Sequence, residues 1–243
     1  MESIWTLGGT AKYWYWNDGY CRFILYTHNI YSPSGPTTNK FKRPTFRMLA
    51  VGQSSIAGMM PLPGVTEEIA FIQEILGVDA VTLDESKATV DGVAESLPKC
   101  SWAHLACHGV QDPVKLMDSG FVMWDGYRLT LSRLAQSSLA SAEFAFLTCC
   151  ESAKGSKEFP NEAMHLAAGL QFISYCGVIG TMWSVGDKDA LSVAKQVYGE
   201  LFKDGTGQAS ASKAALALHQ AILFLRANNV PLARWVPFVH FGL

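Results

Sequence analysis

Two segments of the sequence end in side chains that could carry out nucleophilic chemistry. The apolar run 102–107 ends at His108 and Gly109, and the apolar run 144–149 ends at Cys150. Each run is typical of a buried strand that stops at a reactive side chain. Two neighbouring strands of this kind could present an imidazole and a thiol to one cleft, which is the arrangement that a cysteine hydrolase uses.

The chemistry requires a nucleophile, an acid/base and hydrogen-bond donors for the oxyanion. Cys150 is the candidate nucleophile and His108 the candidate general acid/base. The backbone N–H groups of Gly109 and of Cys150 itself are the candidate oxyanion hole, because glycine lets a substrate carbonyl approach the backbone.

Neighbouring residues of the same types are separated by strand alternation. Cys149 precedes Cys150, so the two side chains point to opposite faces. His104 shares the face of His108 but lies deeper, and we expect it to be a hydrogen-bonded core residue. Adjacent residues on extended strands, such as Cys107 and His108, cannot converge on one zinc ion, and the sequence has no Cys-x-x-Cys pair. We therefore expect no metal and no cofactor.

The elements that must position these residues alternate between strand and helix from residue 46 onward. The sequence predicts strands over 46–51, 80–83, 103–107, 144–149, 177–183 and 236–241, and helices over 64–76, 86–97, 160–175, 187–202 and 209–227. Ser86 is the expected cap of the second helix. This pattern predicts an α/β fold with a mostly parallel sheet flanked by helices on both faces, and a ligand crevice beyond the carboxyl ends of the strands.

Residues 1–45 differ from the rest because they are rich in tryptophan and tyrosine. They are typical of short antiparallel strands with a turn at 17–19, followed by a linker around 32–36. A further hairpin is expected around Asp125-Gly126. The domain boundaries that we predict are therefore an aromatic-rich extension over 1–45 and an α/β domain over 46–243.

Composition limits the class of protein and its partners. The 243 residues are 49% hydrophobic and carry a net charge of −2, which fits one sizeable domain and disfavours nucleic acid or an anionic membrane as a partner. The six cysteines show no disulfide framework, and the N-terminus does not resemble a signal peptide. We expect a cytoplasmic or nuclear protein with reduced thiols.

In their order along the chain, several motifs resemble the CHAT family of caspase-like and separase-related peptidases, which are often fused to tetratricopeptide repeats. The matching segments are 62–64 with Glu67 and Glu68, 88–89, 104–109, 147–153 and 180–187. The resemblance implies a caspase-like α/β fold in which His108 and Cys150 match the catalytic residues. Their separation of 42 positions is close to the value of about 50 in caspases. The chain departs from the family at Cys149, where a small residue is frequent. Residues 1–45 are too short for a tetratricopeptide repeat and lack its helical pattern.

The segment after the strand 177–183 is expected to border the substrate crevice. In separase-like members an acidic residue of this region receives a basic P1 side chain, the residue before the cleaved bond. Asp187 and Asp189 are candidates for that role, although Asp187 also stands where a helix N-cap belongs. Ser184 replaces the aspartate usual in separases, and Trp183 is either a pocket wall or a core residue.

These observations favour a cysteine endopeptidase that cleaves a protein partner through a thioester at Cys150. The alternative is a catalytically silent caspase-like scaffold whose aromatic extension contacts a partner. A nucleotide-binding domain is disfavoured because no glycine-rich phosphate loop follows any strand.

Because the loop 154–159 is short, we expect control by a regulatory or tetratricopeptide-repeat protein rather than by excision of a linker.

Overall fold

The structure is a computed structural model, and it describes 46–112, 114–149 and 166–242 with their side chains. It also describes the backbone of 4–7, 10–17, 20–25, 150–151 and 163–165. The predicted linker around 32–36 and the loop 154–159 lie outside these ranges. Contacts divide the chain into two units, residues 1–45 and residues 46–241.

The first unit contains three antiparallel strands, which are β1 (Ile4–Leu7), β2 (Thr10–Asn17) and β3 (Tyr20–Leu25). Asn17 pairs with Tyr20, so β2 and β3 form an antiparallel hairpin around the two residues between them. This pairing confirms the hairpin predicted from the turn residues at 17–19.

The second unit is built on a six-stranded sheet in the order β13-β12-β10-β6-β4-β5. The strands after residue 46 are β4 (Met48–Gly52), β5 (Ala80–Asp84), β6 (Trp102–Ala106), β7 (His108–Val110), β8 (Gly120–Val122), β9 (Arg128–Thr130), β10 (Phe144–Leu147), β11 (Cys150–Glu151), β12 (Gly177–Thr181) and β13 (Phe238–Gly242). The pairs β5-β4, β4-β6, β6-β10 and β10-β12 are all parallel. The predicted α/β fold with a mostly parallel sheet is confirmed.

Both faces of this sheet are covered, because consecutive residues of β4 and of β6 are all buried although their side chains point alternately to the two sides. The helices are α1 (Gly64–Leu76), α2 (Val90–Ser96), α3 (Leu131–Ala135), α4 (Ala163–Ile173), α5 (Asp187–Leu201), α6 (Ala214–Ala227) and α7 (Leu232–Trp235). Helices α1, α5 and α6 share one apolar cluster with Met48, Trp102 and Phe144. This cluster fixes the position of α1 relative to the strands that carry the candidate dyad.

Helix α2 begins later than the sequence predicted. The Thr89 hydroxyl accepts a hydrogen bond from the N–H of Gly92 at 3.1 Å, so Thr89 is the N-cap and the helix starts at Val90. Residues 85–87 form a short 3-10 turn instead. The predicted cap at Ser86 is therefore wrong, because Thr89 offers the same capping chemistry one turn later.

A second, smaller sheet lies beyond the ends of the central strands, in the order β11-β7-β8-β9. Strand β11 is parallel to β7, whereas β8 is antiparallel to both β7 and β9, as the hairpin expected around Asp125-Gly126 requires. The chain passes from β6 to β7 through Cys107 alone, and from β10 to β11 through Thr148 and Cys149. Neighbouring central strands therefore continue side by side into the second sheet. Within the described residues, none of the helices has the length and apolar character needed to cross a membrane.

Candidate active site

The strand register brings the two candidate catalytic residues together. In the parallel pair β7-β11, His108 is the direct partner of Cys150, and Gly109 is the partner of Glu151. Backbones of neighbouring strands lie about 4.8 Å apart. The backbones of the two candidate residues are therefore neighbours in the second sheet, beyond the carboxyl ends of β6 and β10.

The His108 ring is held by one hydrogen bond that also fixes its proton. Nε2 lies 2.9 Å from the carbonyl oxygen of Met60, and the residue is only 1% exposed. Because a carbonyl oxygen can only accept, Nε2 must carry the hydrogen, and the neutral ring has its lone pair on Nδ1. Nδ1 is buried and has no hydrogen-bond partner in the described part of the chain. It is thus the nitrogen available to take a proton from a thiol.

Three influences act on the pKa of His108. Burial lowers it from its ordinary value of 6.5, and this is the largest effect. The hydrogen bond to the Met60 carbonyl and the negative charge of Asp187 act in the opposite direction, and the pKa remains lowered. The neutral ring that can accept a proton is therefore favoured at neutral pH.

Cys149, the neighbour of the candidate nucleophile, has different surroundings. Its Sγ lies 3.1 Å from the carbonyl oxygen of Leu105 and 3.9 Å from Sγ of Cys107. Burial raises the pKa of the Cys149 thiol well above its usual value, and the adjacent Cys107 thiol raises it further. A thiol with a raised pKa is a poor nucleophile at neutral pH. These contacts favour Cys150 over Cys149.

The predicted substrate residues at 183–189 have distinct environments. Trp183 is 42% exposed and therefore does not complete the core, and Ser184 is exposed as well. Asp189 is buried, and its carboxylate receives two hydrogen bonds from Arg234, at 2.8 and 2.7 Å. Asp189 is thus engaged inside the domain, whereas Trp183 and Ser184 face solvent.

Asp187 caps a helix, although not the helix to which it belongs. It is the first residue of α5, whose N-cap is Gly186, and its Oδ2 accepts a hydrogen bond from the N–H of Gly64, the first residue of α1, at 3.2 Å. A carboxylate at this position satisfies an unpaired N–H and interacts favourably with the helix dipole. Asp187 therefore joins the start of α5 to the start of α1, four residues after the Met60 carbonyl that contacts His108.

A model of the CHAT domain family matches residues 25–243. The chain belongs to the CHAT domain family. The match covers the whole α/β unit and begins within the aromatic-rich segment. No curated protein matches the sequence.

Solved structures agree with the fold of this CHAT domain. One is the crystal structure of the Arg specific cysteine proteinase gingipain R, with a TM-score of 0.53 and 9% identity over 81% of this chain and 46% of that chain. Another is the complex of the Porphyromonas gingivalis RgpB pro- and mature domains, with a TM-score of 0.50 and 8% identity over 81% of this chain and 47% of that chain. The CHAT domain spans less than half the length of these chains, and at this identity the likeness shows a caspase-like α/β fold.

Gly109, the candidate oxyanion residue, lies where a side chain would not fit. A Cβ atom at this position would be 2.8 Å from Cδ1 of Leu166 on α4. Such a distance is too short for two carbon atoms, so either Leu166 or the Gly109 backbone would have to move. The glycine lets α4 pack closely against the strand that carries His108.

For a peptidase that uses the N–H of Gly109 in its oxyanion hole, we expect Gly109→Ala to lower kcat about tenfold or more while the domain stays folded, because the displaced N–H no longer points at the oxyanion. Steady-state kinetics of the single variant and of Gly109→Ala combined with Leu166→Val measures this. Leu166→Val shortens the clashing side chain, so the double variant should recover part of the lost kcat. A Gly109→Ala protein with full kcat contradicts the assignment, as does a double variant no faster than the single one.

Sequence reasoning missed four residues that the structure connects to the dyad. Met60 supplies a backbone carbonyl, which no side-chain motif could reveal. The sequence places Glu68 in a segment that resembles the family but gives it no role, and it gives no role to Thr148 or Tyr198. A signal was present at Glu68, because the helical spacing of Val65, Ile69 and Ile72 places this carboxylate on the buried face of α1. His104 is fully buried and hydrogen-bonded to Tyr198, which confirms its expected role as a core residue.

Proposed function

We propose that this CHAT domain is a cysteine endopeptidase that cleaves a protein substrate, with Cys150 as nucleophile and His108 as general acid/base. The observation that carries the proposal is the pairing of His108 with Cys150 across β7 and β11, combined with a tautomer that leaves Nδ1 of His108 free to accept a proton. The match to the CHAT domain family over residues 25–243 and the caspase-like fold support the same proposal. The resemblance of the segments 104–109 and 147–153 to family motifs implies catalytic roles for His108 and Cys150.

The proposed reaction begins when Nδ1 of His108 takes the thiol proton of Cys150. The thiolate attacks the substrate carbonyl carbon, and the backbone N–H groups of Gly109 and Cys150 stabilise the resulting oxyanion. The C–N bond then breaks, and the imidazolium gives its proton to the leaving amine. A water molecule, deprotonated by His108, hydrolyses the thioester and restores the thiol.

For the substrate, we propose that Trp183 and Ser184 contact the residues next to the cleaved bond, because both are exposed beyond the end of β12. Asp187 and Asp189 remain predictions as substrate ligands. Their observed bonds, to the N–H of Gly64 and to Arg234, favour roles inside the domain. The proposal therefore does not rest on a basic P1 residue. A cytoplasmic or nuclear location fits the mechanism, because Cys150 must stay reduced.

The experiment that tests the function is incubation of the purified protein with a peptide library, followed by mass spectrometry of the products. The wild-type protein should give new N-termini, and Cys150→Ala should give none while its circular dichroism spectrum is unchanged. Cys176→Ala, which removes an exposed thiol, is the matched control and should cleave as the wild type does.

A second measurement separates the enzyme from a silent scaffold. Iodoacetamide at neutral pH should alkylate Cys150 faster than the exposed Cys176, because His108 is the strand partner of Cys150 and can take its proton. Absence of cleavage together with equal labelling of the two thiols would overturn the proposal and favour the scaffold function.

A further inference from the structure

We propose that Glu68 is a positioning residue for the strand that carries Cys150, and that it acts through the hydroxyl of Thr148. This inference rests on the proposed function, because it concerns the placement of the proposed nucleophile. Glu68 lies on α1, outside the dyad and outside the loop 183–189. It is the centre of a buried polar group formed by Glu68, Thr148, His104 and Tyr198, which we call the Glu68 cluster.

The Glu68 cluster is held by short contacts within the core. The Thr148 hydroxyl donates a hydrogen bond to Oε2 of Glu68 at 3.1 Å. The other carboxylate oxygen lies 3.4 Å from Nε2 of His104, whose Nδ1 is 2.8 Å from the hydroxyl of Tyr198. All four side chains are nearly or fully withdrawn from solvent. Helix α1, the strands β6 and β10 and helix α5 are thereby connected through polar contacts.

A carboxylate in such a place is costly. Taking a charged group out of water is unfavourable, and an apolar side chain of similar volume commonly gives an equal or higher stability. Stability alone therefore does not account for Glu68 on the apolar face of α1. What a carboxylate adds is direction, because its Oε2 fixes the orientation of the Thr148 hydroxyl, a donor on a different element.

Thr148 lies at a position where its orientation affects the strand that carries Cys150. It follows the last residue of β10 and precedes Cys150 by two positions, in the short break between the central and the second sheet. Its backbone N–H donates to the carbonyl oxygen of Leu105 at 3.1 Å, which ties the break to β6 on one side. The bond from its hydroxyl to Glu68 ties the same residue to α1. The two bonds together define the direction in which the chain enters β11.

Helix α1 and the loop before it are thus connected to both strands that carry the dyad. The carbonyl of Met60, four residues before the start of α1, accepts the hydrogen bond from His108. Glu68, in the second turn of α1, holds the residue that leads to Cys150. One rigid helix with its preceding loop therefore sets the position of the imidazole and of the thiol-bearing strand. Displacing either by about 1 Å can lower turnover by as much as about 100-fold.

The test compares two substitutions of Thr148 with opposite consequences. Thr148→Val keeps the volume and removes the hydroxyl, whereas Thr148→Ser keeps the hydroxyl and removes a buried methyl group. We expect Thr148→Val to lower kcat about 10-fold or more with little change in KM. Thr148→Ser should retain most of kcat, although it loses packing energy. A purely structural role predicts the reverse order or equal losses.

Thr181→Val is the matched control, because it makes the same change at the buried end of the neighbouring strand β12. It should leave kcat unchanged. Hydrogen exchange of the amides at 149–151 provides a second readout that does not depend on peptidase activity. These amides should exchange faster in Thr148→Val than in the wild type or in Thr148→Ser.

The outcomes distinguish this inference from the proposed function. If the wild type cleaves no peptide but Thr148→Val still exchanges faster at 149–151, the function fails and the positioning role of Glu68 stands. If Thr148→Val matches the wild type in exchange and in kcat, or Thr148→Ser loses as much as Thr148→Val, the positioning role is refuted. Glu68→Gln, which keeps the shape of the side chain, should fall between the two Thr148 variants in both readouts.

Discussion

Replacement of His108 by alanine is expected to lower kcat about 1,000-fold while the domain stays folded. In the proposed mechanism the ring accepts the thiol proton through Nδ1 and later supplies a proton to the leaving amine, so both chemical steps lose their acid/base. The loss should fall on kcat and not on KM, since the imidazole contributes to the transition state more than to substrate binding. Steady-state kinetics on a peptide identified from the library, with circular dichroism as the check on folding, measures the effect.

His219→Ala is the control for the removal of a histidine, because His219 lies on α6 and not on the strands of the dyad. It should have the kcat of the wild type. The rate of Cys150 alkylation should also fall in His108→Ala, to that of the exposed Cys176, because the base that activates the thiol is gone. A His108→Ala protein that cleaves peptide within a few-fold of the wild-type rate would remove His108 from the mechanism.

The pairing of His108 with Cys150 could be predicted because the sequence signals for it are local. An apolar run that stops at a polar residue marks the end of a buried strand, and the carboxyl ends of parallel strands meet at one edge of a sheet. His108 and Cys150 each follow such an apolar run, so two short segments were enough to predict that they lie side by side. Strand alternation added the choice of Cys150 over Cys149, which the contacts of Cys149 with Leu105 and Cys107 support.

The contacts that connect the two strand ends to α1 could not be predicted, because they join residues that are distant along the chain. Met60 contributes only a backbone carbonyl, which any residue could provide. The bond of Asp187 to Gly64 joins residues 123 positions apart, and that of Thr148 to Glu68 joins residues 80 apart. Such contacts depend on how α1 packs on the sheet, and that packing is set by the whole apolar cluster.

Asp187→Asn is expected to shift the acid limb of the pH profile of kcat/KM to lower pH, by up to about 1 unit. The negative charge of Asp187 stabilises the imidazolium and so raises the pKa of His108, in opposition to the larger lowering by burial. Removing the charge lowers the pKa further, and the neutral ring that accepts the thiol proton then persists to lower pH. The asparagine oxygen can still accept from the N–H of Gly64, so α1 should stay in place.

Three comparisons make this result specific. Asp84→Asn removes an exposed carboxylate at the end of β5 and should leave the profile unchanged. Asp187→Ala removes the charge and also the cap of α1, so it should lower kcat more than Asp187→Asn does. The loss of kcat in Asp187→Ala should be equal for substrates with basic and with uncharged P1 residues, because the carboxylate acts on His108 and on α1. A loss confined to basic P1 substrates would instead assign Asp187 to the substrate pocket, and an unchanged acid limb would remove its charge from the chemistry.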